Sequence, residues 1–169
     1  MLNTIRFVDN FLIDRCFQIL ADWYYGITKR TNFGLAALLF MVLSFADFMI
    51  LLIIYKNSGV LTLYSIARPL VTASFARDAL VQEGIIGASG TANPYRFSWF
   101  WMFVRYACIA LLLPASVKHL LLFFSNGDLL EGTTGLGLVV YFVAFYVMAC
   151  SSKPPPEKEE KLVPVPAAG

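Results

Sequence analysis

The residues in this chain with the most chemical potential are charged groups set in apolar surroundings. Asp47 lies in "LSFADFMILL" (Leu43–Leu52), Arg68 in "LYSIARPLVTASFA" (Leu63–Ala76) and Arg105 in "FVRYACIA" (Phe103–Ala110). Embedding an ionisable side chain in hydrocarbon is costly, so such a residue marks an ion pair, a proton or ion pathway, or a register lock between helices. Asp47 is the carboxylate that needs a counter-ion. Arg68 and Arg105 are the candidates, and the topology decides between them. Asp47 with Arg68 is the expected intramembrane charge pair, and Arg105, Lys118 and His119 form an expected further polar network.

Enzyme chemistry has weaker support. His119 is the sole histidine, with no second His, Cys or carboxylate pair beside it. A metal site needs three or four ligands, so none is expected. Asp9 and Asp14 fall on different faces of a helix. Glu157, Glu159 and Glu160 lie in a polar tail. Neither set holds the geometry of a general acid–base pair. Cys16, Cys108 and Cys150 are scattered, without a CxxC, and suit small apolar fillers. Cys150 is juxtamembrane, where S-palmitoylation is chemically open to it. The spacing of Gly84, Gly87 and Gly90 is wrong for a dinucleotide fingerprint, and no strand precedes it. The chain carries no nucleophile elbow, Walker loop, HExxH or haem-attachment motif. It is expected not to be an enzyme and to take no cofactor.

The elements that must position these residues are membrane helices. Of 169 residues, 59% are hydrophobic and 14% charged, against about 45–50% and about 25% in soluble domains. Apolar runs cover 33–55, 99–124 and 129–150, and a bilayer core needs about 20 helical residues. The net charge of +2, without a basic stripe interleaved with aromatics, argues against nucleic acid. No cleavable signal peptide is expected, so the first span would serve as the insertion signal.

Ahead of the spans, residues 1–28 read as an amphipathic interfacial helix. At about 100° per residue, Leu2, Ile5, Val8, Leu12, Ile13, Ile19, Leu20, Trp23 and Tyr24 share half the circumference. Asp9 sits in the middle of that apolar face, while Phe7 and Phe11 project from the polar one. A covering segment or partner would explain both. Trp23, Tyr24 and Tyr25, then Trp99 and Trp101, suit the headgroup belt. Gly26 can stop the first helix. Residues 83–94 read as a flexible glycine-bearing loop. Pro114 should kink the span it lies in. Gly132, Gly135 and Gly137 give the last span a small-residue packing face. Residues 151–169, charged and Pro-rich, should be disordered.

The positive-inside rule addresses the stretch around Arg68. With three spans, seven basic residues lie inside (Lys56, Arg68, Arg77, Arg96, Lys153, Lys158, Lys161) and five outside (Arg6, Arg15, Lys29, Arg30, Lys118). If 58–76 also crosses, nine lie inside and only Lys56 and Lys118 outside. The cost is Arg68 near mid-membrane, about 2.5–3.5 kcal/mol for an isolated helix, offset by a partner. A re-entrant or interfacial 58–76 is the alternative, and would leave Arg105 as the partner of Asp47.

The expected fold is therefore an all-α integral membrane helical bundle of four transmembrane helices within 29–150, with both termini on the inner, cytoplasmic-equivalent side. The expected function is that of a non-catalytic accessory, scaffold or assembly subunit. The bilayer, other membrane-protein subunits or further copies of the chain are its expected partners. A small oligomeric channel or transporter lined by the Asp and Arg residues is one alternative. A membrane-shaping protein that wedges its N-terminal helix into one leaflet is another.

Overall fold

The computed structural model describes residues 2–58, 63–89 and 93–151. The element order is α1 (Leu2–Phe11), a π-helical segment (Leu12–Phe17), α2 (Gln18–Thr28), α3 (Asn32–Ser58), α4 (Leu63–Ser89), α5 (Pro94–Phe97), α6 (Trp99–Ala107), a second π-helical segment (Cys108–Leu112), α7 (Leu113–Asn126) and α8 (Leu129–Ala149). Three stretches are long and apolar enough to cross a membrane: Asn32–Ile53, Trp99–Asn126 and Leu129–Ala149. The chain is an all-α, membrane-embedded helical bundle.

α4 is not among those three. It carries Arg68, Arg77, Asp78 and Glu83. It nevertheless runs antiparallel along α3. Arg30, just before α3, pairs with Glu83 at 2.8 Å. Further along, Ser44 Oγ donates to the Pro69 carbonyl at 3.1 Å, and beyond that Asp47 meets Arg68. The last turn of α8 returns to the start of α3, where Asn32 bonds its carbonyls. The end of the bundle where Asn32, Glu83, Asn93 and Cys150 gather is called the base here. From it α3 runs up, α4 down, α6–α7 up and α8 down.

Local sequence explains the turns. Asn93 caps α5 by accepting from the Tyr95 N–H at 2.9 Å, and Pro94 follows where a missing N–H costs nothing. At the opposite end Gly127 (φ 70°) closes α7 in the left-handed region, and Asp128 caps α8 through the Leu130 N–H. The core between α3, α4 and α8 is built from Phe33, Phe40 and a run of alanines: Ala36, Ala37, Ala76, Ala79 and Ala144. Small side chains let helix axes approach, which is how apolar helices pack when lipid competes for their surface.

Several expectations are corrected. Residues 83–89 are not a loop: α4 runs on to Ser89, with Gly84 inside it. Gly34 leaves room for the Glu83 carboxylate, which an added Cβ would meet at 2.6 Å. Packing along α3 thus outweighs the roughly 1 kcal/mol that a helical glycine costs. Gly26 does not stop the first helix. It runs to Thr28 and ends on Lys29, whose φ is 59° and whose ammonium turns back to the Gly26 carbonyl. Of the aromatic anchors, Trp23 and Trp99 are exposed, but Tyr24 is buried in the core and Trp101 packs against Tyr95 with ring centroids 4.3 Å apart.

The helical wheel of the N-terminal helix is corrected too. The π segment closes a hydrogen bond from the Gln18 N–H to the Ile13 carbonyl. One such turn takes up an extra residue and rotates everything after it back by about 100°. Asp9, Ile13, Ala21 and Tyr24 then share the face against the bundle, and Phe7, Phe11, Ile19, Trp23 and Ile27 share the opposite, exposed face. The second π segment ends two residues before Pro114, whose ring cannot sit in a regular helical turn. The tail from residue 152, with Glu157, Glu159 and Glu160, lies outside the described residues.

Candidate functional site

Two buried ion pairs organise the bundle. The upper one joins α3 to α4. Arg68 Nη2 lies 2.9 Å from Asp47 Oδ1, with the Asp47 side chain 2% and the Arg68 side chain 17% exposed. Asp47 is 15 residues past Asn32, about 22 Å up the helix. The contact is an ion pair in which Asp47 Oδ1 makes no hydrogen bond of good geometry. The other carboxylate oxygen is 3.5 Å from Thr72 Oγ1, a weak contact, since that hydroxyl also lies 2.9 Å from the Arg68 carbonyl. The Thr72 and Tyr141 hydroxyls are in direct contact, tying the cluster to α8. A crevice of about 270 Å³ between α4 and α8 reaches Arg68 and Tyr141 from the side.

The lower pair joins the N-terminal helix to α6. Arg105 Nε and Nη2 donate to the two oxygens of Asp9, each at 2.9 Å, and both side chains are at most 4% exposed. The Tyr146 hydroxyl donates to Asp9 Oδ1 at 2.9 Å. Arg105 Nη1 donates to the Tyr95 carbonyl, and Nη2 reaches the Arg96 carbonyl at 3.4 Å. This is the planar, bidentate arrangement in which a guanidinium binds a carboxylate best, and two further donors reach backbone carbonyls. Asp9, the residue out of place on an apolar face, is thus a buried counter-ion. A sequence search confined to the apolar spans misses it, although its position on that face was a signal.

At the base, below both pairs, lies a cluster with no sequence signature. Asn32 Nδ2 donates to the carbonyls of Val147 (2.9 Å) and Cys150 (3.0 Å), and Asn93 Nδ2 donates to those of Met148 and Cys150, both at 2.7 Å. The last turn of a helix leaves four carbonyls without internal partners. Here two buried amides supply what water supplies elsewhere. The Tyr95 hydroxyl donates to Asp78, and burial together with that carboxylate pushes the phenol pKa well above its usual value.

The remaining expected site residues are distributed. Arg105, Lys118 and His119 do not form one network. His119 Nδ1 contacts Glu131 at the upper end, Arg105 belongs to Asp9, and Lys118 is exposed. Depth separates them, because Arg105 lies six residues into α6 and His119 fourteen residues further on. Gly132 and Gly135 are buried against Phe123 and Leu120 of α7, whereas Gly137 faces the Arg68 guanidinium. Cys150 is fully buried, and desolvation pushes its thiol up to about 12, which suppresses the thiolate that acylation requires. No group of three or more His, Cys, Asp or Glu side chains among the described residues could hold a metal ion.

No family model, no curated protein and no solved structure matches this chain.

Proposed function

We propose that the protein is a non-catalytic membrane subunit that presents its N-terminal helix to other membrane proteins of an assembly. The carrying observation is the two-sided character of that helix. One face is fixed to the bundle by the Asp9–Arg105 pair, Ile13 and Ala21, while Phe7, Phe11, Ile19, Trp23 and Ile27 point away from it. A helix held this firmly, and still apolar on its free side, suits a docking edge. The internal pairing of Asp9, Asp47, Arg68 and Arg105 also suits scaffolding, because these charges fix helix register and position.

In this proposal α4 crosses the bilayer together with the three apolar helices. Its antiparallel course along α3 supports the four-crossing topology, with both termini on the inner side. A photo-cross-linking residue at Phe11 in native membranes should give a protein adduct of discrete mass, and Ile19→Asp should abolish it. Adducts with lipid alone would sink the proposal.

A second reading, a small oligomeric channel or transporter, draws support from the buried Asp47–Arg68 ion pair and the crevice leading to Arg68. It requires ion or proton flux in liposomes that Asp47→Asn removes.

A further inference from the structure

We propose that the outward groove between α3 and α4 holds one acyl chain of an anionic phospholipid, with Arg77 binding the phosphate. The groove has a volume of about 700 Å³ and opens on the surface of the bundle. Its walls are large apolar side chains, among them Phe45 and Phe48 of α3 and Leu70 of α4. Pro69, Ala73 and Ala76 form its small-residue lining on the α4 side. Ser44, a polar residue of the lining, already donates to the Pro69 carbonyl. The Ser44 hydroxyl proton is thus already used and the remaining lining on both helices is mainly apolar, which favours a hydrocarbon chain.

Length and charge select the ligand class. The α4 lining runs from Leu80 to Ile66, about 21 Å at 1.5 Å per residue. One leaflet of hydrocarbon is about 15 Å deep, half of the bilayer core. The groove can thus accept a chain over a full leaflet. Arg77 lies among the lining residues, towards the base end. It is exposed, and among the described residues it has no ion pair or hydrogen bond. Glu83, beside Arg30, is six residues nearer the base, so Arg77 starts about 9 Å inside that level. A long arginine side chain can snorkel back to the headgroups from there. A cation at the mouth of an apolar slot matches an acidic headgroup on an acyl chain.

The test is native mass spectrometry of the full chain released from nanodiscs of equal phosphatidylglycerol and phosphatidylcholine. The wild type should retain phosphatidylglycerol preferentially. Arg77→Gln should lower that preference about fivefold, the worth of one arginine near an anionic surface, and Arg77→Lys should restore part of it. Ala73→Trp, at an exposed position in the groove, should reduce retained lipid of both kinds. Helical circular dichroism and a single elution peak establish that each variant is folded. Equal retention of the two lipids by the wild type would overturn the proposal. So would an unchanged preference in Arg77→Gln, or a dimer cross-linked through Ala73→Cys.

Discussion

Gly137 of α8 and Arg68 of α4 fit together as socket and side chain. A Cβ added at Gly137 would fall 2.5 Å from Arg68 Nη2, the same nitrogen that lies 2.9 Å from Asp47 Oδ1. The buried pair between α3 and α4 thus depends on a residue in a third helix. Gly137→Ala should force the guanidinium away from Asp47 and destabilise the bundle by about 1–3 kcal/mol. The effect should largely vanish in an Arg68→Met background, where no guanidinium needs the space. A double-mutant cycle on thermal unfolding in detergent reads the difference.

Removing Asp9 should leave Arg105 buried without its counter-ion. Asp9→Ala is expected to cost about 3–5 kcal/mol and to free the N-terminal helix to limited proteolysis near Phe11. Replacing both partners with apolar residues (Asp9→Leu, Arg105→Met) should recover much of the stability, because no charge is then stranded. If the single and double variants are equally destabilised, the pair is not what holds the helix.

Asn32 and Asn93 share the Cys150 carbonyl. Alanine at either position should cost about 1–3 kcal/mol by stranding buried carbonyls. The double variant should deviate from additivity, since each amide satisfies part of what the other leaves. Chemical unfolding of the two single variants and the double variant measures this.

Tyr95 sets an alkaline limit. Its folded pKa is raised, first by burial and then by Asp78, while the unfolded phenol titrates near 10. Its contribution is complete below about pH 10 and is lost as pH climbs toward the folded value, because only the unfolded chain then releases the proton. Tm recorded from neutral to strongly alkaline pH should fall less steeply in Tyr95→Phe than in the wild type.

The topology is open to cysteine labelling. Once the exposed Cys16 is replaced by Ser, reporters at Lys29 and Gly84 should react from one side of the membrane and a reporter at Ser125 from the other. Opposite sides for Lys29 and Gly84 would exclude the crossing of α4.

Membrane character was legible in the sequence because long apolar runs need no tertiary context to be recognised. The Asp47–Arg68 proximity was reachable from charge counting, since a carboxylate and a guanidinium at compatible depths in adjacent antiparallel helices attract each other. The expected loop at 83–94 shows where local propensity stops. Glycine weakens an isolated helix, but α4 is held by α3, and only packing reveals that.

The sequence by itself determined a helical membrane bundle and the identities of its costly charges. Tertiary structure decided which charges meet, because π turns shift the faces of two helices and the return of α8 to the base brings residues more than 100 positions apart into contact. Asp9 became a counter-ion, Asn32 and Asn93 became caps, and Gly137 became the socket for Arg68. Each role depends on an angle and a distance between helices, and no periodicity within one helix encodes either.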